Sequence, residues 1–215
     1  MGSTGSIGKK IINIIKSNKK NFEIVLLSAD GNYREILKQS KIFKVKNLII
    51  TNHKSFKKVK ENAHSKKINI FNDFSNFNKI FKKKIDYTMS SISGIQGLKP
   101  TIDIIKYTKK IAIANKESII CGWDIINKEL KQNKTEFVPV DSEHFSIWYA
   151  LKNIDKILID KIYLTASGGP FLKKSNNKLN KVKIKQAINH PNWKMGKKIS
   201  IDSATMMNKV FEIIE

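Results

Sequence analysis

Short apolar runs alternate with longer amphipathic stretches along most of the chain. The runs are Phe22–Ala29, Asn47–Thr51, Ile68–Phe71, Tyr87–Ser90, Lys110–Ala114, Glu136–Val140 and Lys161–Thr165. They are short and several are rich in β-branched residues, which predicts strands. Between them lie stretches with helical spacing: Lys9–Ser17, Tyr33–Gln39, Phe56–Glu61, Gly97–Thr108, Glu117–Gln132 and Ser142–Asn153. Such alternation predicts an α/β fold, a doubly wound parallel sheet with helices on both faces. After Ala166 the character changes. A Gly168-Gly169-Pro170 loop leads into a lysine-rich stretch and then into a final helix, Ser203–Glu215. A domain change is expected near residues 130 to 140, with units 1–132 and 133–215.

The chain has 215 residues, 40% of them hydrophobic, so a sizeable core is available. No run approaches the roughly 18 apolar residues of a membrane helix. The start lacks the pattern of a secretory signal, and Cys121 is the lone cysteine, which leaves no disulfide framework. A cytoplasmic chain without membrane partners is expected. Forty-one basic against eighteen acidic residues give a formal charge of +23, which invites a nucleic-acid hypothesis. Yet Arg34 is the one arginine, and arginine is the side chain that reads base edges bidentately. The lysines are spread widely among Asn and Ile, residues that share A/T-rich codons. No nucleic-acid partner is therefore expected.

Candidate chemistry lies at the ends of the strands. Gly2, Gly5 and Gly8 recur every third residue and open the first helix. Glycines let backbone N–H groups approach a pyrophosphate, and a helix N-terminus favours its charge. Asp30 follows the apolar run 22–29 at the distance of a ribose-contacting acid, though it is also an ordinary turn residue. Asn115, Lys116, Glu117 and Ser118 follow the 110–114 run, where they suit either ligand binding or capping of the next helix. Asp141 and Glu143 flank Ser142 at a strand end. Two carboxylates so spaced can grip one hard divalent cation, or else Asp141 simply caps the helix. His144 reads as packed or exposed rather than as a ligand. Ser167, Gly168 and Gly169 form a candidate anion nest. His190, Trp193 and Met195 beside Gly196 read as a flap over a ligand. Ser203, Asn208 and Lys209 offer the donors a phosphate needs, and Asn208 and Glu212 share one helix face.

Taken in order, six motifs closely resemble the 1-deoxy-D-xylulose 5-phosphate reductoisomerases. They are Gly2–Gly8, Ala114–Ser118, Pro139–His144, Ser167–Phe171, His190–Trp193, and Met195–Ile199 through Ser203–Lys209. The resemblance runs the whole length, with divergence mainly in 33–86 and 172–186. It implies a Rossmann-like domain over 1–132, then the beginning of an α+β catalytic domain over 133–215 carrying metal site, phosphate site and flap. It also implies NADPH, Mg²⁺ or Mn²⁺ (with Co²⁺ as a substitute), and a phosphorylated small-molecule substrate. The product would be 2-C-methyl-D-erythritol 4-phosphate, on a non-mevalonate route to isoprenoids. By the resemblance, Thr4, Gly5, Ser6, Ile7, Gly31, Asn32, Asn115, Glu117 and Gly196 would contact the cofactor. Asp141, Glu143 and Glu212 would hold the metal. Lys116 would approach the substrate. Ser142, Glu143, Ser167, His190, Trp193, Ser203, Asn208, Lys209 and Glu212 would bind it, and Lys116, Asp141, Glu143 and Glu212 would carry catalysis. The full-length protein would be a homodimer.

Three residues depart from the family pattern at the site. Val210 and Phe211 stand where Gly and Leu are usual, and Asp30 stands where an acid disfavours the 2′-phosphate of NADPH, with Arg34 and Lys38 as candidate compensation. The chain also opens without a strand before its glycine loop, ends inside a helical pattern, and is half the family's length. It reads as a cut segment, inactive in isolation. A degraded remnant that still binds nucleotide is the alternative function.

Overall fold

The computed structural model describes residues 1–61 and 68–215. Backbone contacts divide the chain into Met1–Val140 and Asp141–Glu215. In the first unit the order is α1 (Ser6–Ser17), β1 (Leu26–Ala29), α2 (Tyr33–Phe43), β2 (Asn47–Ile50), α3 (His53–Lys60) and β3 (Asn69–Phe71). There follow α4 (Phe77–Ile80), β4 (Ile85–Ser90), α5 (Leu98–Ile105), β5 (Thr108–Ile113), α6 (Lys116–Gln132) and β6 (Glu136–Pro139). Six of the seven expected strands form, all parallel, in two three-stranded sheets ordered β1-β2-β3 and β4-β5-β6. The expected break at residue 132 comes too early for the observed division. β6 pairs with β5 in the register Ile111↔Phe137, so its backbone bonds hold it in the first unit.

Both sheets bury apolar side chains on their two faces, as parallel strands covered by helices do. Leu48, Ile49 and Ile50 on β2, and Ile111 and Ile113 on β5, are fully enclosed. Ile36 of α2, Ile104 and Ile105 of α5 and Ile126 of α6 close over them. Each such side chain contributes about 1.5–3 kcal/mol of burial. The α6 helix kinks at Gly122 (φ −137°, ψ 19°). A Cβ there would fall 2.5 Å from Leu98 Cδ1, so the missing side chain is what lets α5 and α6 pack.

Between the two sheets run Met1–Ser3. Ser3 N–H donates to Ser28 O of β1 (2.9 Å), and Ser91 N–H, just past β4, donates to Met1 O (3.1 Å). The Met1 ammonium donates to Met89 O of β4 (2.5 Å). Burial lowers its pKa to about 5. Backbone groups of β1 and β4 are thus partly satisfied by these three residues.

The second unit contains α7 (Ser142–Ala150), α8 (Asn176–Leu179), α9 (Ile184–Ala187), α10 (Lys197–Ala204) and α11 (Met207–Ile214). Two sequence expectations fail here. Lys161–Thr165 is not a strand; it has no ladder partner among the described residues, and Ile162 and Tyr163 stand exposed. The single helix Ser203–Glu215 is two helices. Met206 takes a left-handed conformation (φ 60°), which ends α10 and starts α11 on a new axis.

Candidate metal and phosphate site

Asp141 is both the last residue before α7 and its N-cap. Its Oδ1 accepts from the N–H groups of Glu143 (3.2 Å) and His144 (3.5 Å). That cap projects Glu143 from the first turn of α7. Glu212 comes from α11 and is buried at 3% exposure. Its neighbours tie it down: Asn208 Nδ2 donates to Glu212 Oε1 at 2.5 Å, as their shared helix face requires. Ligand oxygens of Asp141, Glu143 and Glu212 all lie within 4.8 Å of one another. Three converging carboxylates, one of them buried, form an all-oxygen donor set, which suits a hard divalent cation such as Mg²⁺ or Mn²⁺. Capping, and a place among the converging carboxylates, which the sequence left as alternatives for Asp141, are compatible in this geometry.

Lys209 sits among these carboxylates. Its Nζ donates to Glu143 Oε1 (3.0 Å) and to Glu212 Oε2. Burial lowers the ammonium's pKa, but the hydrogen bonds and charges of Glu212 and Glu143 outweigh it, and the net shift is upward. Lys209 and Asn208, expected around a phosphate, are therefore both engaged with Glu212. His144 is closer to the cluster than its sequence position suggested, with Nδ1 3.3 Å from Asp141 Oδ1 and 3.5 Å from Glu215 Oε2. Neither His144 nor Glu215 was singled out as part of the cluster. The signal was helical spacing: His144 is three residues after Asp141, and Glu215 three after Glu212.

A second cluster joins Ser167 and His190. His190 is buried, and its Nδ1 accepts from the Asn192 N–H (3.2 Å). Its Nε2 lies 3.1 Å from Ser167 Oγ, and with Nδ1 accepting, Nε2 is the nitrogen left to donate. Gly169 N–H also donates to that oxygen (3.3 Å). Ser167 Oγ is thus held between the His190 ring and the Gly169 N–H. Gly169 (φ 63°) packs against α10, where a Cβ would lie 2.7 Å from Ser203 O. Ser142 donates to Glu143 Oε2 (2.6 Å). Trp193 is exposed, and nothing stands within 4 Å of a Cβ built on Gly196. Val210 is also exposed, so its bulk points out of the cluster.

In the first unit the glycine turn leads into α1, whose N-cap is Gly5 and which no side chain caps. Gly8 is required by close approach: a Cβ there would meet Gly2 O at 2.3 Å. Thr4 lies in this turn, and Ser6 and Ile7 open α1. Asn32 caps α2 by accepting from Glu35 N–H, and Gly31 O accepts from Ser55 Oγ. Asp30 accepts from Thr51 Oγ1 (2.8 Å). Asn115 is buried; its Oδ1 caps α6 through Ser118 N–H, and its Nδ2 donates to Ile92 O and Gly94 O. Lys116 and Glu117 occupy the first turn of α6.

Residues 1–122 match the family model of 1-deoxy-D-xylulose 5-phosphate reductoisomerase, and residues 137–215 match that of the enzyme's C-terminal domain. The chain belongs to the 1-deoxy-D-xylulose 5-phosphate reductoisomerase family. Reductoisomerases of this name from Pelagibacter ubique and from Wolbachia pipientis of Culex pipiens are 59% and 42% identical to it across its whole length. The chain spans about half the length of these curated relatives, 56% and 55%. Among solved structures, a reductoisomerase in complex with NADPH, fosmidomycin and magnesium superposes with a TM-score of 0.88 at 32% identity. That match covers 99% of this chain and 55% of the other. The Zymomonas mobilis reductoisomerase in complex with NADPH gives 0.87 at 31% identity, covering 100% and 55%. The reductoisomerase fold, with its parallel α/β sheets, is thus shared at the level of backbone as well as sequence. Among the described residues, no helix is long and apolar enough to cross a membrane.

Proposed function

We propose that the protein carrying this chain converts 1-deoxy-D-xylulose 5-phosphate to 2-C-methyl-D-erythritol 4-phosphate, using NADPH and Mg²⁺ or Mn²⁺, in isoprenoid biosynthesis. The observation that carries the reading is the convergence of Asp141, Glu143 and Glu212 oxygens within 4.8 Å, in a chain of this family. When bound, NADPH supplies a hydride and the divalent cation acts as a Lewis acid on substrate oxygens. The three carboxylates would hold the cation. Ser167, Ser203, Asn208 and Lys209 offer hydroxyl, amide and ammonium donors to the phosphate, which anchors the substrate remotely and orients its reacting carbons. Ser142 and His190 would complete the polar surround, Trp193 would cover the carbon backbone, and Lys116 would contribute to substrate binding.

For the cofactor, the uncapped N-terminus of α1 supports a pyrophosphate held by Thr4, Gly5, Ser6 and Ile7. Gly31 and Asn32 would stand near the adenosine, and Asn115, Glu117 and Gly196 would make the remaining contacts. Asn115 would do so while capping α6. A homodimeric, cytoplasmic protein with no nucleic-acid partner goes with this reading. Substrate-dependent NADPH consumption by the purified protein, abolished by EDTA and restored by Mg²⁺ or Mn²⁺, is the test. No turnover with any divalent cation would refute it.

A further inference from the structure

We propose that Lys209 is an exchangeable counter-ion: it neutralises the carboxylate cluster until a divalent cation takes those oxygens, and is then released as a donor for the substrate's phosphate. The inference rests on the metal-site reading above and adds an order of events to it. Lys209 Nζ bridges Glu143 and Glu212, two of the three carboxylates whose oxygens converge. This is not a solvated surface pair. The side chains are 13% exposed for Lys209, 24% for Glu143 and 0% for Glu212. A carboxylate so enclosed is strongly destabilising without a partner charge, so some cation must stand beside Glu212. An ammonium and a divalent ion competing for the same oxygens cannot both keep their full set of contacts.

The released groups have a common destination. Asn208 is tied to Glu212 in the same way, through Oε1, so one event at Glu212 loosens two neighbouring donors on α11. Ser203 lies at the end of α10, joined to α11 by the turn at Thr205 and Met206. An anion at this corner then meets hydroxyl, amide and ammonium together. Cation and phosphate therefore bind with positive coupling, and by linkage each must strengthen the other by the same factor.

The probes are Mn²⁺, followed by the paramagnetic resonance of the free ion, and inorganic phosphate, both with the full chain. In wild type, saturating Mn²⁺ should tighten phosphate at least about fivefold, the lower end of ordinary site–site coupling. Lys209→Met removes the competitor, so it should bind Mn²⁺ more tightly than wild type and lose most of the coupling. Should that variant not fold, wild type supplies a second readout. Brief acetylation, read by peptide mass spectrometry, should modify Lys209 faster with Mn²⁺ present than without it. Unchanged or weaker Mn²⁺ binding in Lys209→Met, or acetylation of Lys209 indifferent to Mn²⁺, overturns the exchange while leaving the metal site standing. A wild-type chain that binds no Mn²⁺ overturns both.

Discussion

The proposed function gives the Asp141 carboxylate a second job beside its cap, and two substitutions separate them. Asp141→Asn keeps an oxygen for the N–H groups of Glu143 and His144 but removes one of three negative charges from the cluster. Asn caps helices as well as Asp does, whereas Ala costs about 1 kcal/mol. For a chain of this size 1 kcal/mol is roughly 2–4 °C in Tm. Without metal, Asp141→Asn should therefore melt close to wild type and Asp141→Ala about 2–4 °C lower. Added Mn²⁺ reverses the grouping. At a hundred times its Kd, a ligand stabilises by about 2.7 kcal/mol, roughly 5–11 °C here. If losing one anionic ligand weakens binding about 100-fold, as charge count tunes such sites over decades, the same Mn²⁺ concentration stabilises Asp141→Asn by only about 0.4 kcal/mol, or ~1 °C. Differential scanning fluorimetry over a Mn²⁺ series reads both effects. An undiminished Mn²⁺ shift in Asp141→Asn would refute the ligand role, and equal metal-free melting of the two variants would refute the cap.

Three further outcomes follow from contacts described above. Gly169→Ala must relieve both its positive φ and a Cβ 2.7 Å from Ser203 O; a loss of about 1–3 kcal/mol is expected in urea unfolding, and a melt equal to wild type would show that α10 yields freely. Asn115→Ala deletes a helix cap and two tethers to Ile92 O and Gly94 O, so a loss of about 2–4 kcal/mol should appear in the same assay, with Asn115→Asp recovering only the cap. For a chain starting at Met1, the buried ammonium has its pKa lowered from 8.0 to about 5. The folded state prefers the neutral amine, so stability should fall as pH drops from 8 to 5, by about 3 kcal/mol; urea midpoints flat across that window would contradict the burial.

The parallel sheet was legible because its strands are short, β-branched and separated by helical spacing, and β2, β5 and β6 lie within a residue or two of their runs. Lys161–Thr165 has the same local composition and is not a strand. A ladder needs a partner, and partner availability is a tertiary property that periodicity does not carry. The break at Met206 was illegible for a related reason. Left-handed backbone is ordinarily signalled by Gly or Asn, and a methionine there depends on the turn's own bonds, Met206 N–H to Ser203 O and Val210 N–H to Met206 O. At the site, the motifs named the carboxylates and the phosphate donors but not their mutual contacts. That Asn208 and Lys209 both rest on Glu212 agrees with their spacing four and three residues before it, whereas the unbroken helix read from the sequence concealed where α11 starts.

The same contacts explain how a strongly basic chain can keep an acidic site in order. Asp141 Oδ1 takes two backbone N–H groups and lies 3.3 Å from His144 Nδ1, which fixes the plane of the carboxylate before any ion is considered. Glu143 is held by Ser142 on one oxygen and by Lys209 on the other, and Glu212 by Asn208 and Lys209. Every carboxylate of the triad is thus oriented by a donor from its own helix, and Lys209 alone links α7 to α11 among these bonds. Electrostatic pre-orientation of this kind reduces the reorganisation needed when ligand arrives. It also makes Lys209 the point where the protein's excess positive charge acts specifically. Other lysines pair locally at the surface, as Lys99 does with Asp103 and Lys109 with Asp86, and together they set the chain's general field.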